Sequence, residues 1–214
     1  MVRIRKHPRK IFINLLIFIG ISTIIAASFR IYYLWNYQQK FLGEENPIII
    51  NDSKDDFIYT QKPNPQDIKP TKETFNRSQY KSGMMKISIP KLKVDAAIVE
   101  GTSTELLKKG PGLYEISPLP DKDGGNVCIA GHRTTYGAWF KKVNELVEGD
   151  EISLSFNNTN YIYKVEKVFI IKNNDWSVTH ETEYSALTLT SCHPLRSSAQ
   201  RIVVRAKLSN IIQL

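Results

Sequence analysis

The sequence predicts a mainly β domain, closed as a barrel or stacked as a sandwich, with one or two short helices and an N-terminal transmembrane helix in front. Three observations predict it. Residues 11–29 read IFINLLIFIGISTIIAASF, without one charge. From Met84 onward the chain breaks into short stretches in which apolar and polar residues alternate, the period of strands with one buried face. Turn residues separate these stretches at regular spacing and helical signals are few, the pattern of all-β architectures.

The elements follow in chain order. As a helix, the apolar run would be roughly 28 Å long, the thickness of a bilayer's hydrocarbon core. Asn14, Ser22, Thr23 and Ser28 interrupt it, and Ser and Thr are tolerated there because they bond back to the helix backbone. Arg30 closes the run, and Tyr32, Tyr33, Trp35 and Tyr37 follow as an interfacial aromatic cluster. Arg3, Arg5, Lys6, Arg9 and Lys10 predict a cytoplasmic N-terminus and an extracellular remainder. The small residues Ala26-Ala27-Ser28 offer a cleaved signal peptide as the alternative. The apolar run exceeds the roughly 7–15 residues of a signal h-region, which favours an uncleaved anchor.

The formal charge of +8 is unevenly placed. Residues 1–40 carry seven basic and no acidic side chains, residues 41–80 sum to −2 and residues 81–214 to +3. The excess therefore belongs to the anchor, and no nucleic-acid partner is expected. Residues 41–80 are polar, contain Lys62-Pro63-Asn64-Pro65 and Lys69-Pro70, and show no sustained period. They read as an extended linker holding the domain off the membrane. The division is then a cytoplasmic basic N-terminus (1–10), a transmembrane anchor (11–30), a juxtamembrane segment with extracellular linker (31–80) and a globular domain (81–214).

Within that domain the expected strands are 85–89, 97–99, 126–130, 151–156, 161–171, 186–191 and 201–208. Thr102 with Glu105 three residues on is a capping box, and Gly110 sits where a C′ glycine closes a helix. A second short helix is expected from about residue 138 to 143.

Strand alternation sorts the chemistry-bearing residues. In 186–192, Leu187 and Leu189 face one way, while Thr188, Thr190 and Cys192 face the other. In 201–208, Ile202, Val204, Ala206 and Leu208 share the apolar face, which leaves Arg201 opposite. In 127–132, Val127 and Ile129 are the core pair, and His132 lies opposite them if the strand stays extended. Three strands thus each turn one reactive side chain away from the core. A thiol becomes a useful nucleophile beside an imidazole that takes its proton, and a guanidinium can orient a substrate carbonyl or stabilise developing charge. The residues alone leave a second reading open: a buried structural Cys, a satisfied His and a solvated Arg.

The segments quoted next carry a resemblance. LTLTSCHPLRSSAQRIVVR (187–205) is similar to the signature of sortases, the cysteine transpeptidases of Gram-positive cell surfaces. GGNVCIAGHRTTYGAWF (124–140) resembles that family's strand ending in a catalytic His. Residues 89–95 with 99–102, and Lys109-Gly110-Pro111-Gly112-Leu113-Tyr114, resemble its first strands and the turn after its first helix. The wording is closest to the class D/E branch. The resemblance implies an eight-stranded β-barrel, with 81–214 as the catalytic domain. It implies Cys192 as nucleophile, His132 as general acid/base and Arg201 as the transition-state arginine, with Thr190 and Ser191 lining the substrate or oxyanion site. Ser191 stands where the family usually has Thr. The implied partners are surface proteins bearing a C-terminal LPXTG-like motif, with LAXTG or LPXTA as variants, and an acceptor amine from a cell-wall peptide or its lipid-linked precursor. No metal and no organic cofactor is expected.

Several residues compete. His193 adjoins Cys192 but should diverge from it on a strand, and His180 and His7 are further rivals. Arg196 lies in a Pro/Ser-rich loop, and Arg205 lies further along its strand than Arg201. Cys128 precedes His132 by four residues, roughly 13 Å along a strand, too far for a disulfide to Cys192 if that residue is level with His132. A free structural thiol is expected. Asp121-Lys122-Asp123-Gly124 resembles the opening of an EF-hand loop without its later ligands, so a β-turn is expected. Phosphate-binding glycine motifs and paired-Cys zinc spacings are absent. Rival functions are another Cys–His cell-wall enzyme or an inactive anchored barrel. The Ser-His-Gly-Cys of L,D-transpeptidases is not matched by Thr190-Ser191-Cys192-His193.

Overall fold

In the computed structural model, which describes residues 8–42, 76–121 and 123–214, the uncharged run lies within one long helix, α1 (Pro8–Leu42). The helix is long and apolar enough to cross a membrane, and the apolar side chains of residues 12–33 are exposed. It continues through the aromatic cluster because residues 31–42 contain neither Gly nor Pro to stop it. The basic residues at positions 1–7 and most of the expected linker, 43–75, lie outside the described residues.

Eight strands follow: β1 (Met85–Ile89), β2 (Val94–Glu100), β3 (Gly112–Leu113), β4 (Asn126–Ala130), β5 (Glu151–Phe156), β6 (Thr159–Lys172), β7 (Ala186–His193) and β8 (Gln200–Gln213). They close into a barrel in the order β1-β2-β3-β4-β7-β8-β6-β5. The inward residues of alternate positions fill it, among them Ile87, Ile98, Ile129, Leu154, Tyr163, Leu187, Leu189 and Val204. All seven expected strands are present. The eighth, β3, has two residues, too few to show a period, and exists because Gly112 and Leu113 bridge β2 and β4. β2 begins at Val94, after a tight turn at Pro90–Leu92, and so is longer than 97–99. β8 runs on to Gln213 because its backbone keeps pairing with the start of β6 after its buried face has ended.

The helical expectations need correction. The single-turn helix α2 (Thr104–Leu107) is capped by Ser103, whose hydroxyl accepts from Leu106 N at 3.4 Å, and not by a Thr102 capping box. Thr102 instead donates its N–H and hydroxyl to Glu115, and Glu105 pairs with Lys108. Gly110 lies beyond the cap residue Lys108 and is not in the left-handed region. No α-helix forms at 138–143. Tyr136, Gly137 and Ala138 all have positive φ, which breaks helical geometry, and only a 3-10 turn follows at Val143–Glu145. Asp121 Oδ1 accepts from Asp123 N, a turn rather than a calcium loop. Residues 76–80 pack on the barrel: Arg77 pairs with Glu100 at 2.7 Å, and Tyr80 donates its hydroxyl to Ile98 O.

Candidate active site

The parallel pairing of β4 with β7 and the antiparallel pairing of β7 with β8 assemble the site. β4 and β7 pair from Asn126↔Ala186 to Ala130↔Thr190. Gly131 N continues the ladder to Thr190 O at 3.0 Å, so the next residue, His132, comes level with Cys192. In the other ladder Cys192 pairs with Arg201. Cys192, His132 and Arg201, each half-buried, line one groove of about 300 Å³ on the outer face of the barrel. Its walls include Leu107, Tyr114, Ile171, Trp176, Val178, Thr190 and Ser191. The side-chain facing expected from alternation is observed: Leu187, Leu189, Ile202 and Val204 are in the core.

Close packing holds the His strand in place. Gly131 has no room for a side chain, since a Cβ there would stand 2.5 Å from the Phe140 ring. Ser191 donates its hydroxyl to Gly131 O at 2.7 Å, which ties the strand of the thiol to the strand of the imidazole. Thr190 shares a 2.8 Å hydrogen bond with the Tyr114 hydroxyl, and Trp176 meets the Tyr114 ring edge-on.

His132 Nε2 is buried and has no hydrogen-bond partner among the described residues. Burial lowers the His132 pKa below its ordinary value, and the positive charge of Lys108 lowers it further. The ring of Tyr136 lies 5.4 Å from that of His132 and carries the cations of Lys108 and Arg30 over it, at 5.4 and 4.9 Å. Arg201 turns its guanidinium toward its own loop, donating to Ser198 O and Gln200 O at 3.0 Å each.

The competing residues fall elsewhere. Arg205 is buried and donates to Val178 O. Arg196 and Leu195 edge a separate depression. Cys128 and Cys192 are both free thiols. Cys128 is inaccessible, and burial pushes its pKa up to about 12. Among the described residues no cluster of His, Cys, Asp and Glu could hold a metal ion.

Sequence reasoning missed Arg133. It is 4% exposed. Its guanidinium donates to Cys192 O at 3.1 Å, Lys141 O at 2.9 Å and Asn144 Oδ1 at 2.7 Å. It therefore holds the Cys192 backbone to the loop after His132. Nothing local in the sequence marks it, because its three acceptors lie 8, 11 and 59 residues away, off any strand or helix period. Replacing it by Met would leave three acceptors unpaired, at a cost of about 2–4 kcal/mol. Thermal unfolding of Arg133→Met should show that loss. kcat/KM measured well below the transition should fall as well, and Arg133→Lys should recover only part of either.

Residues 87–209 match the family model for the sortase domain. The chain belongs to the sortase family. Sortases are cysteine transpeptidases, and the barrel with its outer groove is the sortase architecture. A sortase D of Bacillus subtilis is 32% identical over 139 residues, covering 61% of this chain and 68% of that protein. Sortase SrtE1 of Streptomyces coelicolor is 31% identical over 141 residues; the match covers 59% of this chain and 40% of that longer protein. Among solved structures, a Clostridium perfringens sortase D5 transpeptidase superimposes with a TM-score of 0.56 at 27% identity, covering 62% of this chain and 84% of that one. These similarities agree with the class D/E branch indicated by the motifs.

Proposed function

We propose that this sortase cleaves a C-terminal LPXTG-like motif at its Thr and transfers the protein upstream of it to a cell-wall amine, with Cys192, His132 and Arg201 as the catalytic residues. The observation that carries this reading is their convergence from three strands on one groove. In the first half-reaction His132 takes the thiol proton and Cys192 Sγ attacks the Thr carbonyl. Arg201 swings from its loop carbonyls to meet the developing oxyanion. The C–N bond then breaks, the imidazolium gives its proton to the leaving amine, and a thioester remains. In the second, the neutral imidazole takes a proton from the incoming amine, which attacks the thioester and releases Cys192.

The groove suits this peptide. Leu107, Ile171, Trp176 and Val178 form an apolar wall for the leucine of the motif. Tyr114 and Thr190 offer hydroxyls beside it. The Nε2 of His132 has no hydrogen-bond partner among the described residues, which leaves it unengaged for proton exchange with the thiol or a substrate. The division into cytoplasmic residues 1–10, an anchor at 11–30, a connecting segment and an extracellular catalytic domain from about residue 81 accompanies this reading. So does the acceptor, a cell-wall peptide or its lipid-linked precursor.

The test is the full chain in detergent, offered LPXTG, LAXTG and LPXTA peptides with and without triglycine. Amine-dependent ligation product is the expected result with at least one motif. Cleavage without such a product would demote the activity to hydrolysis.

A further inference from the structure

We propose that residues 30–42 of α1 form a strut docked on the catalytic domain, and that this docking fixes the His132 side of the groove at the lipid surface. The key side chain is Gln38, 3% exposed although it lies on a helix whose membrane-facing part is bare. Its Oε1 accepts from Ala97 N at 2.8 Å, and its Nε2 donates to Lys109 O at 2.7 Å and Ala97 O at 3.2 Å. One amide thus continues the hydrogen bonding of β2 as a neighbouring strand would and bridges it to the turn after α2. All three partners are backbone groups at least 59 residues away in sequence. A polar side chain so buried and so completely paired marks a specific contact.

The barrel is shaped to receive it. A Cβ at Gly110 would collide with Gln38 Nε2 and stand 2.8 Å from Ala97 O, so the smallest residue lies where the helix approaches. The ring of Phe41 rests against Gly83. Lys109 Nζ sits 5.3 Å over the Tyr37 ring, and Lys86 Nζ reaches Leu42 O at 3.4 Å. At the membrane end, Arg30 lies 4.9 Å over the Tyr136 ring, which is itself 5.4 Å from the ring of His132.

The consequence is a height. Arg30 ends the uncharged run, and Gln38 is eight residues further, about 12 Å along the helix. The loop holding Tyr136 meets α1 at Arg30, so the imidazole lies near the level where the hydrocarbon ends. Arg30, Lys108 and Lys109 add positive charge on that side, suited to anionic head groups. A site held there meets an amine carried by a lipid at high local concentration, whatever residues 43–75 do. This last step rests on the transpeptidase reading; the docking does not.

Two measurements on the full chain in phosphatidylglycerol-containing vesicles test it. In a Cys192→Ala background, the pair Tyr37→Cys and Lys109→Cys, whose native side chains meet at 5.3 Å, should be joined within one chain by a short bis-maleimide, and failure to cross-link overturns the docking. Separately, Gln38→Glu removes the two donated hydrogen bonds and sets a charge against carbonyls. It should slow ligation to a triglycine-headgroup lipid on the order of tenfold and leave ligation to soluble triglycine unchanged. Equal loss with both amines, or no loss with the lipid, overturns the proposal. Cross-linking without ligation to either amine supports the strut and tells against the transpeptidase reading instead.

Discussion

Cys192→Ala is expected to lower peptide cleavage by a factor on the order of 10⁴ or more, because no other group in the groove can form the thioester. His193 is adjacent in sequence but is not a nucleophile for this step. The second thiol, Cys128, is inaccessible inside the barrel wall. Cys192 is half-buried at the groove, so the loss of one sulfur there should change stability by about 1 kcal/mol or less. Activity and folding therefore separate cleanly. A thiol-specific probe should label one cysteine in the native chain and two after denaturation without reductant. In Cys192→Ala the native label should vanish. A mass adduct equal to the acylated peptide should appear on the wild type only. Full activity in the variant would remove the assignment of nucleophile, and with it the acyl-transfer mechanism.

Much of that first expectation is legible in the chain itself. Alternation over a strand has period two, so Leu187 and Leu189 settle which way Cys192 points, and Ile202 and Val204 do the same for Arg201. His132 is less legible. It lies two residues past the end of β4, where a chain need not stay extended. Hydrogen bonds across the strand pair, Gly131 N to Thr190 O and Ser191 Oγ to Gly131 O, keep it in line.

His132→Gln should lower kcat/KM by about 10²–10⁴. Glutamine keeps the size and a hydrogen-bonding capacity but cannot carry a proton between thiol and amine at neutral pH. The pH dependence carries a sign. Burial and then the Lys108 charge hold the His132 pKa below the ordinary 6.5, so the imidazole is uncharged at neutral pH. The acidic limb of kcat/KM should accordingly lie below 6.5 and disappear in His132→Gln. Lys108→Met removes the smaller of the two causes and should move that limb upward toward 6.5, with burial still holding it below. An unmoved limb would mean that Lys108 does not reach the imidazole electrostatically. Stability follows the same linkage. The unfolded chain takes up the proton more readily than the folded one, so stability is lost as pH falls from about 6.5 toward the lower folded value. It is fully regained above 6.5.

The sequence by itself determined the kinds of parts and most of their directions: an apolar run of membrane length, seven strands with an inner face, and three reactive residues turned outward. These are local properties, written in periods of two or in an unbroken run of apolar residues, and they survive without knowledge of any neighbour. Only the tertiary structure decided what those parts touch. The two-residue strand β3 exists through its partners. Arg133 reaches Cys192 O, and Gln38 reaches Ala97, across 59 residues each. Such contacts leave no periodic trace, because a single polar side chain meeting a distant carbonyl changes nothing in the pattern around it. The connection between anchor and active site belongs to this second class. Composition reads residues 41–80 as a spacer, and the contact between helix and barrel is made ahead of them, by the amide of Gln38 buried against the edge of β2.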